Sequence, residues 1–430
     1  MKDSGIEWIG EIPEGWEISP LFSIFKERKQ KNYNLKETNI LSLSYGKIIR
    51  RNTETNMGLL PESFETYNIV DKSNIILRLT DLQNDKTSLR TGLVIERGII
   101  TSAYIALESV NTENVFFHYL LHCYDELKVF YVMGNGVRQN LKFAELSRLP
   151  LLVPPLAEQQ RIADYLDAKC AYIDQCLDMT RQSMEKLRAY KLSCITETVT
   201  KGLDPDVPLK DSGVPWIGQI PAGWECTRLM TLCSEISTGP FGSQLHAEDY
   251  VENQTPLINP SNINNFRIEA NYKCTLDSNT VSRLKRHILY TGEIIFARRG
   301  EMGRCALVEK QHEGFICGTG CLKASIKKDI NQYYLIYYLQ AKFVPYFLEY
   351  SSVGTTMNNL NSKTIASIPV TLPPLPEQER IAAYLDKKCA RIDALLEEKQ
   401  ALLDKLAEYK KSLIFECVTG KREVPSCWNR

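Results

Sequence analysis

Arg298-Arg299-Gly300, in the run EIIFARRGEMG, is the stretch of this chain whose side chains are best matched to one kind of chemistry. A guanidinium offers paired planar donors that fit a phosphate or a guanine edge, and a glycine beside it forms a tight turn. Arg78-Leu79-Thr80-Asp81 follows an apolar run in the first half in the same way. Two further loops are rich in side chains that read base edges. They are MGNGVRQNL (133–141), with Arg138, Gln139 and Asn140, and SVGTTMNNL (352–360), with Thr355, Thr356 and Asn358. A third, TGPFGS (238–243), adds Ser243. Basic clusters stand at Lys26, Arg28, Lys29 and Lys31, at Lys47, Arg50 and Arg51, and at Arg283, Lys285 and Arg286. From these sets Arg50, Arg51, Arg78, Thr80, Arg138, Gln139, Asn140, Ser243, Arg298, Arg299, Thr355, Thr356 and Asn358 are the expected nucleic-acid contacts. The plain alternatives are a solvated basic face and a Gly/Asn turn after a helix.

Catalytic constellations are missing. The sequence contains no GxxxxGK[ST] phosphate loop, no HExxH, no CxxC pair and no GxSxG elbow. His312, Cys317 and Cys321, with Cys305, fit no standard zinc spacing and read as buried apolar thiols, so no metal is expected. Asn259-Pro260-Ser261-Asn262 begins like an amino-methyltransferase motif but lacks the aromatic that should follow, which leaves an ordinary turn. No catalytic residue and no cofactor of the chain's own are expected.

The elements that position these loops occur twice. DSGIEWIGEIPEGWE from Asp3 returns as DSGVPWIGQIPAGWE from Asp211, 208 residues on, and PPLAEQQRIADYLDAKCAYID from Pro154 returns as PPLPEQERIAAYLDKKCARID from Pro373, 219 residues on. The extra 11 residues of the second half therefore lie between the two motifs. Behind the second motif, apolar residues recur at helical spacing: Ile162, Leu166, Ile173, Leu177, Met184, Leu187 and Ile195. Adding 219 gives Ile381, Leu385, Ile392, Leu396, Leu403, Leu406 and Ile414, the same stripe. Neither run holds Pro or Gly before Gly202 and Gly420, so each predicts a helix of about 40 residues, about 60 Å long, whose narrow seam needs a coiled-coil partner. The Pro-rich entries at 149–159 and 368–378 read as hinges.

Between the motifs the halves look largely unlike and read as mixed α and β. Strands are expected at Ile75–Leu79, Ile99–Leu107, Glu293–Ala297 and Cys321–Ile326. One aromatic-rich helix is expected at 114–132, and another at 331–350 kinked or ended by Pro345. Tyr119-Leu120 then matches Tyr338-Leu339 at the 219 offset. The fold class is α+β: two mixed α/β domains, 1–153 and 203–372, joined by two long antiparallel helices at 154–202 and 373–430, with a pseudo-two-fold internal repeat.

At 430 residues, with 52 basic and 52 acidic side chains, the chain has size for two cores and no global positive field. Nucleic-acid binding must rest on local clusters or on a partner that supplies charge. The 13 cysteines, an odd number, read as reduced thiols. No membrane span and no signal-peptide layout is visible, which predicts a cytoplasmic protein.

With DSGxxWIGxIPxGW, PPLxEQxRIAxYLD and the paired long helices, each present twice and in this order, the chain resembles the specificity subunit of type I restriction-modification enzymes over nearly its whole length. LRLTDLQNDKTSLR (77–90) and GIITSAYIAL (98–107) look like that family's target-recognition domains. The resemblance implies a DNA-binding subunit without catalysis. It implies two modification subunits that methylate adenine with S-adenosylmethionine and, in the complete enzyme, two ATP- and Mg-dependent restriction subunits. Unequal inserts on a repeated frame predict a bipartite, asymmetric double-stranded DNA target and one docking surface presented twice. Pro155, Glu158, Gln159, Arg161 and Tyr165, with Pro374, Glu377, Gln378, Arg380 and Tyr384, are the expected partner contacts. The competing reading from another class is a non-catalytic scaffold whose coiled coil joins two protein-interaction domains.

Overall fold

The computed structural model describes residues 1–51, 63–83, 89–109, 112–133, 140–241, 244–351 and 360–425. The chain forms two compact units, Met1–Arg181 with Gln400–Arg430 and Gln182–Lys399, so each unit holds part of both long helices.

The inserts, unlike in sequence, share one sheet. In the first unit Phe25–Glu27, Ile105–Ser109, Ile75–Leu77 and Thr91–Leu93 lie side by side in that order, all antiparallel. In the second, Cys233–Thr238, Cys321–Ile326, Ile294–Ala297 and Cys305–Leu307 repeat the order and the pairing. The registers fix residue equivalences. Phe25 pairs with Ser109 as Cys233 pairs with Ile326, and Ile75 with Leu107 as Ile294 with Ala324. Ile40 bridges Ile99 in parallel as Leu257 pairs with Ile316. The offset is 208 at Phe25 and 217 at Ile40, so most of the extra length of the second half lies between Thr238 and Leu257.

Several elements differ from the expected ones for local reasons. The run 99–107 is two strands, Gly98–Ile100 and Ile105–Ser109, because Thr101–Tyr104 closes a turn between them. The aromatic helix of the first unit spans Asn114–Glu126 and buries Phe116, Phe117, Leu120, Leu121 and Tyr124; Lys128, at φ 62, breaks it before Val129–Met133. Its counterpart divides into Gln332–Leu339 and Phe343–Ser351. The break precedes Pro345, which sits in the first turn of the later helix, where a missing N–H leaves no bond unmade.

The long helices are Leu156–Lys201 and Leu375–Val418, 46 and 44 residues. Gly202 and Gly420 end them at φ 78 and 70, a left-handed C-terminal turn open to glycine. Every described member of the apolar stripe is buried or half-buried. Within each unit the helices run antiparallel. Lys410 Nζ donates to Asp174 at 2.6 Å in the first, and Lys191 Nζ donates to Asp393 at 2.7 Å in the second; the two ion pairs are repeat equivalents.

The Pro-rich entries are not loose hinges. Pro150–Val153 pairs with Glu17–Pro20, and Pro369–Leu372 with Glu225–Arg228, before each chain turns directly into its long helix. Leu151, Leu152 and Val370 are fully buried there, so strand and helix meet at a packed joint.

Candidate nucleic-acid interface

Antiparallel pairing brings the loops between the four strands to one end of each sheet. In the second unit that end gathers the 298–304 turn, the start of the 239–244 loop, Gly318–Gly320 and Leu360. Gly239 N–H donates to Cys321 O at 3.0 Å, Arg298 N–H to Gly320 O at 2.9 Å, and Leu360 N–H to Arg298 O at 2.9 Å. A Cβ on Gly239 would stand 1.9 Å from Gly318 O, so the two loops touch backbone to backbone. In the first unit the same end joins the loop after Leu77 to the polar loop, through Leu141 N–H to Leu79 O at 2.9 Å and Asp81 N–H to Asn140 Oδ1 at 2.6 Å. The strand-end loops thus converge with the described ends of the polar loops, Asn140-Leu141 and Leu360. Arg138, Gln139, Ser243, Thr355, Thr356 and Asn358 lie outside the described residues.

Charge separates the basic clusters. Arg28 is held by Asp71 at 2.6 Å and Glu108 at 2.7 Å and donates through Nε to Ile69 O at 2.8 Å. Arg283 pairs with Asp249 at 2.7 Å, and Arg50 is bound to Glu96 at the base of the hairpin Leu41–Ser44/Lys47–Arg50. Arg51 N–H closes onto Ile40 O. The Arg28, Arg50 and Arg283 side chains thus brace loops. The tip of that hairpin is the part near the loop end: Gly46 packs on Leu89, and Tyr45 beside it is 84% exposed. Tyr45 went unread because a lone Tyr-Gly pair carries no periodic signal.

The 298–304 turn is different. Arg298, Arg299 and Arg304 have no carboxylate partner among the described residues. Arg299 is exposed, whereas Arg298 is half-buried with its Nε donating to Leu360 O at 3.1 Å, so the turn presents one guanidinium outward and anchors the other. Three guanidiniums against the single exposed carboxylate of Glu301 leave the turn net positive, which favours an anion against it. The register also corrects the sequence match. Ala297 N–H donates to Arg304 O as Arg78 N–H donates to Arg90 O, and Leu360 N–H to Arg298 O as Leu141 N–H to Leu79 O. Arg298 is thus equivalent to Leu79, Arg299 to Thr80 and Arg304 to Arg90. Arg78 is half-buried, as is Thr80, whose carbonyl accepts from Arg90 Nη1 at 3.1 Å.

The repeated motif around the helix entry holds each unit together from inside. Trp16 Nε1 donates to Glu158 at 3.1 Å and Trp224 Nε1 to Glu377 at 3.1 Å. Gln159 accepts from Glu113 N–H and donates to Pro154 O, and Gln378 does the same with Asn331 and Pro373. Tyr119 Oη donates to Asp167 and Tyr337 Oη to Asp386, so the counterpart of Tyr119 is Tyr337, one residue from the expected Tyr338. Gln159, Gln378 and Tyr165 are buried, and the two glutamates are engaged by indole N–H groups. Of the expected partner contacts, Pro155, Pro374, Arg380 and Tyr384 are exposed and Arg161 is partly so, paired with Glu158 at 3.4 Å.

One structural difference hides behind the common plan. The carbonyls of Ile69 and Ile288 are equivalent, since Ile69 pairs with Ile99 as Ile288 bridges Ile316. Arg28 satisfies the first at 2.8 Å, and Lys323, paired with Glu293 at 3.2 Å, satisfies the second at 2.7 Å. The register puts Ala106 where Lys323 stands and Ser237 where Arg28 stands.

The thiols and the Asn-Pro turn have structural roles. Cys305, Cys317 and Cys321 are fully buried, and burial pushes the Cys321 thiol up to about 12, which opposes the thiolate a metal needs. His312 accepts from Glu309 N–H at 3.3 Å as a turn cap, and Asn259 and Asn262 cap each other across a single turn. The 12 described cysteines are free thiols.

The family model for the type I restriction modification DNA specificity domain matches residues 13–188 and again 221–405. The chain belongs to that family. It is a specificity subunit that recognises DNA sequence, and it is not the catalytic component. It is similar to the MjaVIII specificity subunit of Methanocaldococcus jannaschii, at 23% identity over 87% of this chain and 86% of that one. It is also similar to the EcoKI specificity subunit of Escherichia coli, at 21% over 88% and 83%. Among solved structures, a chain from a study of complex assembly and conformational transition of the type I R-M system superposes with TM-score 0.71 at 16% identity, covering 96% of this chain and 100% of that chain. The HsdS subunit of Thermoanaerobacter tengcongensis gives 0.53 at 16% identity, covering 98% and 100%. These likenesses carry the fold: two mixed domains, long antiparallel helices and an internal repeat. Among the described residues no helix is long and apolar enough to cross a membrane.

Proposed function

We propose that each unit reads one half of a bipartite, asymmetric DNA site through the loops at its sheet end. On this reading the repeated helical frame docks two modification subunits that methylate adenine. The observation that carries it is one four-stranded sheet built twice with different loops on it, including a turn in the second unit whose three guanidiniums lack carboxylate partners among the described residues. S-adenosylmethionine would be bound by the modification subunits, and ATP and Mg by two restriction subunits in the complete enzyme, all in the cytoplasm. Docking would use the exposed parts of the helix entries, Pro155, Pro374, Arg380 and Tyr384, rather than the buried glutamines. Mapping methylated adenines in cells that carry this subunit with its modification partner tests the reading. Two unlike half-sites separated by a spacer are expected; a single contiguous palindrome would overturn it.

A further inference from the structure

Arg304 and Arg90 are the pair that sequence comparison of the halves leaves unmatched and the register matches. Arg90 closes the turn between Ile75–Leu77 and Thr91–Leu93, Arg304 the one between Ile294–Ala297 and Cys305–Leu307, and each reaches back across its turn. Arg304 Nη2 donates to Arg299 O at 3.4 Å, and Arg90 Nη1 donates to Thr80 O at 3.1 Å, the equivalent carbonyl. The two turns differ in length, since Arg78 closes onto Arg90 but Ala297 onto Arg304. The brace is the same although what it spans is not.

Gly300 makes room for it. The residue sits at φ +90, and a Cβ there would stand 2.9 Å from Arg304 Nη2, so a side chain would push the guanidinium off the carbonyl. Arg304 has no carboxylate partner among the described residues, and its Nε is buried without an acceptor. Among the described residues it is the Arg299 carbonyl, and no carboxylate, that accepts from it. In the first unit the brace is set deeper: Arg90 is fully buried, lies 5.9 Å over the Tyr131 ring, and has its backbone N–H on the Asp125 carboxylate.

We propose that Arg304 and Arg90 are positioning residues for base recognition, each fixing the backbone from which its own unit's reading side chains project: Arg299 in the second unit and the Thr80–Asp81 segment in the first. This rests on the reading of the loop ends as DNA-facing. It adds that a residue not itself directed at DNA sets the specificity of one half-site.

The test uses the full chain with its modification partner and compares wild type with Arg304→Met, which keeps the unbranched stem and removes every donor. Methylation maps should show discrimination at one or more bases of one half-site falling on the order of tenfold to a hundredfold, with the other half-site unchanged. The thermal midpoint and assembly with the modification partner should stay at the wild-type level. Arg90→Met should weaken the opposite half. A purely structural role would lower methylation at all sites together without changing which bases are preferred, and that result overturns the proposal. So does an unaltered motif with unaltered rates. If Arg304→Met does not accumulate as folded protein, Gly300→Ala disturbs the same crossing from the other side and must affect the same half-site. A wild-type map lacking two separate half-sites would instead strike the DNA-reading proposal, so the two failures are distinguishable.

Discussion

Arg299 and Arg50 are both arginines in basic clusters, and their surroundings assign them opposite weights. Arg299 is exposed without a carboxylate partner among the described residues, so Arg299→Ala should weaken DNA binding by the assembled complex. It should also reduce the slope of log affinity against log salt by about one, as a lost phosphate contact does. Arg50, bound to Glu96, should leave both unchanged when replaced by alanine; gel shifts over a salt series check the two variants together. Burial also sets two opposed titrations in the first unit. Asp125, whose Oδ1 accepts no hydrogen bond from the described residues, is raised to about 6 by desolvation, and His118 is lowered to about 3 by desolvation and then by His122. The native state holds the Asp125 proton that the unfolded chain releases above its ordinary 3.8, so that contribution is present below pH 3.8 and is lost as pH rises through about 6. The His118 contribution is present above 6.5 and is lost as pH falls toward 3. Between pH 4 and 6 they offset each other. Asp125→Asn should therefore steepen the loss of stability on acidification across that window, and urea midpoints at several pH values measure it. No sequence pattern announces such groups, because burial is a property of the packed unit and not of the residue.

At the scale of elements, the repeat means that each fastening can be checked against its twin. Trp16 and Trp224 are both buried, with indole N–H on Glu158 and Glu377, so Trp16→Ala and Trp224→Ala should each cost about 3–5 kcal/mol in their own unit. Calorimetry resolving two transitions would show which unit is affected. The interhelical pairs are weaker because they are partly exposed. Asp174→Lys should cost less than about 1 kcal/mol, and Lys410→Asp added to it should restore most of that loss. The long helices were legible because stripe, proline-free length and terminal glycine all point the same way. The shared sheet was legible only in its inner strands, Ile75–Leu77, Ile105–Ser109, Ile294–Ala297 and Cys321–Ile326; its outer strands were not, since Phe25–Glu27 and Thr91–Leu93 are three residues each and of mixed polarity. The partner role given to Glu158, Gln159, Glu377 and Gln378 shows a related limit. Repetition marks what both units require, and here that requirement includes an internal joint. Arg90 and Arg304 escaped notice because turns of unequal length put them out of step.

For the whole molecule, two units built alike but read independently predict that replacing 18–150 with the insert of another family member changes one half of the methylation motif and leaves the other intact. A change in both halves would contradict separate reading. The two carbonyls satisfied by different cations limit where such exchanges can be cut. A recombinant that joined the opening strand of the second unit to the remainder of the first would bring Ser237 in place of Arg28 and keep Ala106, leaving Ile69 O with neither donor. An orphaned carbonyl of that kind costs about 1–3 kcal/mol. The reciprocal recombinant would crowd two cations onto one oxygen. Natural or engineered shuffling between such halves should therefore have its viable crossovers outside the sheet, at the paired strands that lead into the long helices, so that a cation and the carbonyl it serves are inherited together.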